Sequence, residues 1–279
     1  MSENPAAVPV KKLANGAEIP MIGLGTWPMD DTEAGAAVLH AIEAGYRLID
    51  TAENYRNEEG VGQAIARSPL ARSELFVTTK LNAEWHSFDG VRTAWRHSIE
   101  RLGLDYIDLL LIHWPNPAQG TYVDAYKGLA KLLSKGKVRA IGTSNFTQDQ
   151  LTELIDATGV VPDVNQIQHS PLWMRAHDIA FHEKHGILTQ AWSPLGRGAV
   201  LEAEPVTAAA TAHSVTPAQV VLRWNLQHGA SPIPKSTQPN RQASNLDVFS
   251  FELDEAQMAA IDALDGTGPA PADPMTFGH

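Results

Sequence analysis

Two patterns alternate along most of the chain. Short apolar runs, "MIGLGT", "YRLID", "LFVTTK", "DLLLIH", "VRAIGTS", "DVNQIQ", "ILTQAW" and "SPIPKS", read as eight strands. Between them lie stretches of helical period. "TEAGAAVLHAIEAG" has a helix-like apolar face and stops on a glycine, and "VRTAWRHSIERLG" has a similar stop. The strand ends fall near residues 25, 50, 80, 113, 144, 168, 192 and 235. Most are about 24–33 residues apart, the length of one βα unit. The longer last gap leaves room for an extra helix in "PVTAAATAHS" before "TPAQVVLRWNLQHG". The pattern predicts an α/β fold, a parallel (β/α)8 barrel of the TIM-barrel class. Ahead of it, "VKKLANGAEIP" reads as a β-hairpin turning at Asn15–Gly16, a dipeptide favoured in type I′ turns. This hairpin is expected to close the N-terminal, bottom end of the barrel. The tail "DGTGPAPADPMTFGH" is rich in Pro and Gly and predicts a loop. No linker divides the chain, so residues 1–279 read as one barrel domain.

Composition narrows the picture. With 43% hydrophobic and 19% charged residues, the chain is ordinary for a soluble globular protein. Its net charge of −11 argues against nucleic acid and anionic membranes as partners. A local basic pocket for an anionic cofactor stays compatible with that charge. The absence of cysteine excludes disulfides, thiolate nucleophiles and Cys-ligated metals. The start "MSENPAAVPVKK" lacks the apolar centre of a signal peptide, and runs such as "IDLLLI" are too short to span a bilayer. The expectation is a cytoplasmic, monomeric protein.

Barrel enzymes carry their chemistry at the C-terminal ends of the strands. Here the second run ends in Asp50, the third in Lys80 and the fourth in His113. The fifth ends in Ser144 and Asn145, the sixth contains Gln166, and the seventh ends in Trp192. Tyr55 follows Asp50 by one short loop. A lone polar residue at a strand exit is commonly a cap, and Asp50 does lead into a helix-prone stretch. Six successive strand ends converging on one mouth are harder to read that way. Asp, Lys, Tyr and His also make chemical sense together. A phenol is a poor acid at neutral pH, and a nearby ammonium lowers its pKa. A carboxylate holds that ammonium, and an imidazole can orient a carbonyl oxygen. Such a site protonates oxygen while hydride arrives from elsewhere, which calls for a nicotinamide or flavin. No G-x-G-x-x-G or G-x-x-x-x-G-K-[ST] supports a Rossmann domain or a P-loop.

The stretches "GLGTW", "LIDTAENYRNEEGVGQAI", "LFVTTKL", "LLLIHWP", "IGTSNF", "VNQIQ" and "IPKSTQPNRQASN" resemble the aldo-keto reductases over essentially the whole chain. Within that family the chain is most similar to the branch of the 2,5-diketo-D-gluconate reductases. The resemblance implies reduction of aldehydes or ketones with NADPH and a tetrad at Asp50, Tyr55, Lys80 and His113. Tyr55 would be the acid, Lys80 and Asp50 would tune it, and His113 would orient the carbonyl. It implies that Ser144, Asn145 and Gln166 meet the nicotinamide carboxamide and that Trp192 stacks on its ring. Ser193 and Leu195 of "SPLGRG" would join the cofactor site. Lys235, Ser236 and Arg241 would clasp the adenosine 2′-phosphate, and Asn245 would touch adenine. Ser244 departs from the pattern, since many relatives have Glu there. Arg197 fits a pyrophosphate contact or plain surface equally well.

Trp27, Trp85 and Trp114 follow the first, third and fourth runs and are expected to line the mouth, with Met29 beside them. Aromatic walls suit a small carbonyl compound. Keto-sugar acids, dicarbonyls and aromatic aldehydes all stay open. Three rival classes exist. A barrel aldolase would use Lys80 as a Schiff-base nucleophile, which needs a lowered lysine pKa. A metal hydrolase is suggested by "HEKH" at His182–His185 and by His169, but no H-x-H or H-E-x-x-H accompanies them, and no metal is expected. A nonenzymatic NADP(H)-sensing barrel is the third.

Overall fold

The computed structural model describes residues 8–278. The opening of the polar N-terminal stretch and His279 at the end of the tail lie outside the described residues. Strands β1 (Val10–Lys12) and β2 (Glu18–Pro20) form the expected antiparallel hairpin. Its Leu13 and Ile19 pack against Leu48 and Phe76, which begin two barrel strands, so the hairpin does cover the bottom. The turn is not type I′. That type needs positive φ at both central residues, and only Gly16 has it, at 91°. The Gly16 N–H closes a turn on the Leu13 carbonyl at 2.9 Å. Asn15 uses its side chain instead, donating to Asp163 Oδ2 at 2.8 Å and to the Arg139 carbonyl at 2.9 Å.

Eight strands follow in parallel, each paired with the next: β3 (Gly23–Gly25), β4 (Leu48–Asp50), β5 (Phe76–Leu81), β6 (Ile107–Ile112), β7 (Val138–Ser144), β8 (Val164–Gln168), β9 (Leu188–Trp192) and β10 (Ser231–Pro232). The ring closes where Gly25 N–H donates to the Pro234 carbonyl at 3.1 Å. A Cβ at Gly25 would stand 3.0 Å from the Ile233 carbonyl oxygen, so a side chain there would crowd the seam and glycine eases the close approach. The last strand stops at Pro232, short of the expected 235, because Pro232 and Pro234 have no N–H to extend the ladder.

The outer layer comprises α1 (Asp31–Ala44), α2 (Glu58–Arg67), α3 (Gly90–Leu102), α4 (Tyr122–Ser134), α5 (Gln148–Thr158), α6 (Ala176–His185), α7 (Glu204–His213), α8 (Pro217–Gln227), α9 (Pro239–Leu246) and α10 (Glu255–Asp262). The extra helix before α8 is α7. Asp30 caps α1 by accepting from Glu33 N–H at 2.9 Å. No helix among the described residues is long and apolar enough to cross a membrane.

Side-chain alternation places the site. Ile49, Val77, Leu110 and Ile112 face outward and pack with Val38, Val61 and Leu129 of the helices. Leu48, Phe76, Leu109, Leu111, Val164 and Leu188 fill the lower interior. Each such burial contributes about 1.5–3 kcal/mol. Moving up each strand by an even number of residues keeps the same face. That step turns Leu48 into Asp50, Phe76 into Lys80, Leu111 into His113, Val164 into Gln166 and Leu188 into Gln190. The interior is therefore apolar below and polar above. The tail, a loop as expected, is tied down: Gly266 N–H donates to the Leu172 carbonyl at 3.0 Å, and Ala272 N–H reaches Gln168 Oε1 at 3.3 Å.

Candidate active site

Asp50 ends β4 and is buried; Lys80 on β5 is fully buried. The Lys80 ammonium donates to Asp50 Oδ2 at 2.7 Å, to the Thr51 carbonyl at 2.9 Å and to Tyr55 Oη at 3.3 Å. Its three donors are thus all used. Tyr55 sits at the end of a single 3-10 turn, Glu53–Tyr55, directly after β4. Lys80 donates into a lone pair of the phenol oxygen, so the phenol keeps its own proton for another acceptor. His113 follows β6, and its ring lies 5.6 Å from the Tyr55 ring at 72°.

Burial of Lys80 favours the neutral amine, but Asp50 and then Tyr55 outweigh it and raise its pKa above the ordinary lysine value. Lys80 is held as a cation, the opposite of what a Schiff-base lysine needs. Tyr55 departs from the expectation of a lowered pKa. Burial raises it most, Lys80 pulls it down, Asp50 pushes it up, and the net direction is up. The ammonium thus limits a rise that desolvation imposes, and the phenol stays protonated at neutral pH.

Ser144 and Asn145 lie at the end of β7. Asn145 takes a left-handed conformation, φ 65°, tolerated by asparagine better than by most residues. Its Nδ2 donates to the His113 carbonyl at 3.2 Å and to Ser144 Oγ at 3.0 Å. Its Oδ1 accepts from Trp192 Nε1 at 2.8 Å, which fixes the indole at the top of β9. Ser144 Oγ donates to the Gln166 carbonyl at 2.9 Å. These groups converge on one mouth with Asp50 and Lys80. Ser193 follows with φ 49°, while half-buried Leu195 packs on neighbouring apolar side chains. Exposed Arg197 places its guanidinium 6.0 Å from the Trp27 ring centroid, bridging the loops after β3 and β9.

Lys235 and Arg241 are exposed, and neither pairs with a carboxylate among the described residues. Ser236 between them is buried and accepts from Gln238 N–H at 3.1 Å. Gln242 fastens the loop by donating to the Ser236 carbonyl at 2.8 Å and to the Ala37 carbonyl at 3.0 Å. Asn245 is buried on α9, and Ser244 donates to Gln219 Oε1 at 3.2 Å. Free cations beside a hydroxyl, in a chain of net charge −11, suit an anionic ligand.

The three tryptophans differ. Trp27 is 53% exposed, Trp85 is half-buried and Trp114 is only 5% exposed. Phe277 of the tail lies 4.6 Å from the Trp114 ring, so the tail helps enclose this side. Met29 is not a wall; it is buried in the core with Val38 and Val61. His182 of "HEKH" is buried on α6, bonded to Thr189 Oγ1 at 2.8 Å and to Asn165 Nδ2 at 3.0 Å. Sequence reasoning missed Glu53 and Gln190. Glu53 accepts from Trp85 Nε1 at 3.1 Å and pairs with Arg101 at 3.5 Å, linking the Tyr55 turn to the Trp85 wall. Gln190 had one visible signal, its place two residues before Trp192 on the same face.

A parallel eight-stranded barrel with a charged and aromatic cluster at its C-terminal mouth is the architecture of a barrel enzyme. The sequence matches the aldo/keto reductase family over residues 21–266, and the chain belongs to that family. It is 52% identical over 273 residues to an aldo-keto reductase of Mycolicibacterium vanbaalenii, covering 98% of each chain. It is 45% identical over 270 residues to 2,5-diketo-D-gluconic acid reductase B of a Corynebacterium species, covering 96% of this chain and 98% of the other. Among solved structures, a variant of Gox0644 in complex with NADPH superposes with a TM-score of 0.93 at 45% identity, covering 98% of this chain and 100% of that one. A Bombyx mori aldo-keto reductase in complex with NADP gives 0.88 at 37% identity and 95% coverage of each.

Proposed function

We propose that the chain reduces a small carbonyl compound with NADPH, taking the proton from Tyr55. The observation that carries this reading is the Lys80 ammonium, bonded at once to Asp50, Thr51 and Tyr55. Relatives crystallised with NADPH and NADP support the cofactor. The residues present fit it: amide and hydroxyl groups of Ser144, Asn145 and Gln166 for the carboxamide, the Trp192 face for the ring, and two unpaired cations for a phosphate. Bound, the nicotinamide supplies the hydride.

The chain's own part is acid catalysis and orientation. Lys80 occupies one lone pair of Tyr55 Oη, which leaves the phenol's own proton for a substrate oxygen at the mouth. As charge grows on the substrate oxygen, the proton moves from Tyr55 Oη to it, and the fixed ammonium stabilises the phenolate left behind. Asp50 keeps Lys80 charged and in place. His113 beside Tyr55 orients the carbonyl, and Trp27, Trp85 and Trp114 wall the mouth. Oxidation of NADPH with a panel of keto-sugar acids, dicarbonyls and aromatic aldehydes measures the activity. Tyr55→Phe should lower turnover by roughly 10²- to 10⁴-fold while leaving NADPH affinity near wild type. A variant that keeps more than half the wild-type rate would remove Tyr55 from the role of acid. Since burial raises its pKa above the ordinary phenol value, ionisation of Tyr55 should not limit reduction at neutral or mildly alkaline pH, and a loss of rate there that follows ionisation of the phenol would count against this acid.

A further inference from the structure

Asp50 does more than hold Lys80. Its Oδ1 accepts from Gln166 Nε2 at 2.8 Å, and the same nitrogen donates to Gln190 Oε1 at 2.7 Å. Both N–H bonds of the Gln166 amide are therefore spent inside the barrel. Gln166 Oε1 is the only atom of that amide left to meet a further group.

The order of donors is set by charge. An ionised carboxylate only accepts, so Asp50 determines that Gln166 turns its NH2 inward. An NH2 only donates, so Gln166 determines that Gln190 turns its oxygen toward it. Flipping Gln190 would set two NH2 groups against each other. Gln190 is fully buried and stands in register with Gln166 on the neighbouring strand. Its own Nε2 finds no partner among the described residues. A buried, unbonded donor is unfavourable, and an apolar side chain would avoid it. What the glutamine provides is the oxygen at its other end.

We propose that Gln190 is a positioning residue for the cofactor. It locks the Gln166 amide so that Gln166 Oε1 faces the mouth and accepts from the carboxamide NH2 of the nicotinamide. The inference rests on the NADP(H) reading above. Without the Gln190 oxygen, one Gln166 N–H is buried with no acceptor, and the single bond left, to Asp50 Oδ1, keeps the NH2 inward but lets the amide plane swing about it, so Gln166 Oε1 no longer points steadily at the carboxamide NH2.

The test uses NADP+ and its 3-acetylpyridine analogue, in which a methyl replaces the carboxamide NH2. Dissociation constants are measured by fluorescence titration for wild type and Gln190→Met. The substitution should weaken NADP+ binding about 5- to 20-fold, the scale of one hydrogen bond or slightly more, and leave the analogue within about twofold. Equal losses for the two ligands, or no loss for either, would overturn the proposal. In a Gln166→Leu background, Gln190→Met should add less than about twofold, because the two act as one unit. Full additivity would also overturn it. Should Gln190→Met fail to fold, Gln190→Ala carries the same comparison. A wild type that binds no NADP+ would sink the cofactor reading and this inference together; binding with equal losses sinks the inference alone.

Discussion

Two lysines, Lys80 and Lys235, stand at the same rim of the barrel in opposite conditions. Lys80 is fully buried, makes three hydrogen bonds and sits 2.7 Å from a carboxylate. Lys235 is exposed, with no carboxylate partner among the described residues. The fold has already neutralised the first charge and uses it to condition a neighbouring phenol. It leaves the second unneutralised, available to an anion that arrives from solution. On the reading proposed above, the difference teaches that a charge serving chemistry is integrated into the core, whereas a charge serving recognition is kept out of it.

The sharpest way to break this contrast is to remove each lysine in turn. Lys80→Met leaves Asp50 buried without its cation, and stability should drop by about 3–5 kcal/mol, with reductase turnover lost. Lys235→Met should stay within about 0.5 kcal/mol of wild type. Urea unfolding of both proteins reads the difference, and comparable midpoints would erase the distinction. On the recognition side, Arg241→Ala should cost NADPH binding about 1.5–3 kcal/mol and NADH far less. Titration with both cofactors decides it; equal losses would mean that Arg241 acts on shared parts of the cofactor or on the fold. A smaller loss than those at Lys80 and Arg241 belongs to the residue between these regions. Trp192→Phe keeps a ring at the mouth but loses the N–H that Asn145 accepts, a cost of about 0.5–1.5 kcal/mol in stability. NADPH should also quench tryptophan emission much less in this variant, and an undiminished quench would point to another stacking residue.

Much of this was legible in the sequence, for a physical reason. Strand ends at 25, 50, 144, 168 and 192 coincide with the observed ones, because buried parallel strands must be short apolar runs and the exits carry the polar residues. The places of Asp50, Lys80 and Tyr55 follow from those exits. What stayed hidden depends on neighbours distant in the chain. The Asn15 turn is decided by Asp163 across the barrel floor. The direction of the Tyr55 pKa is decided by how much water the mouth excludes. Gln190 reads as an ordinary strand residue until Gln166 and Asp50 are placed beside it. Met29 looked like a wall residue because a loop position does not reveal which way a side chain packs.

The closure at Gly25 bears on how the barrel breathes. A barrel is a hoop, and a hoop yields at its weakest joint. Seven of the joints between neighbouring barrel strands are paired ladders. The eighth rests on the amide of Gly25 and the carbonyl of Pro234, in a stretch where Pro232 and Pro234 have no amide hydrogen to add. Fluctuations that admit solvent should start there, since local opening follows the least redundant bonding. Deuterium in the solvent would exchange into Gly25 well before it reached Leu110 at the centre of β6, and the seam would mark where the ring first parts.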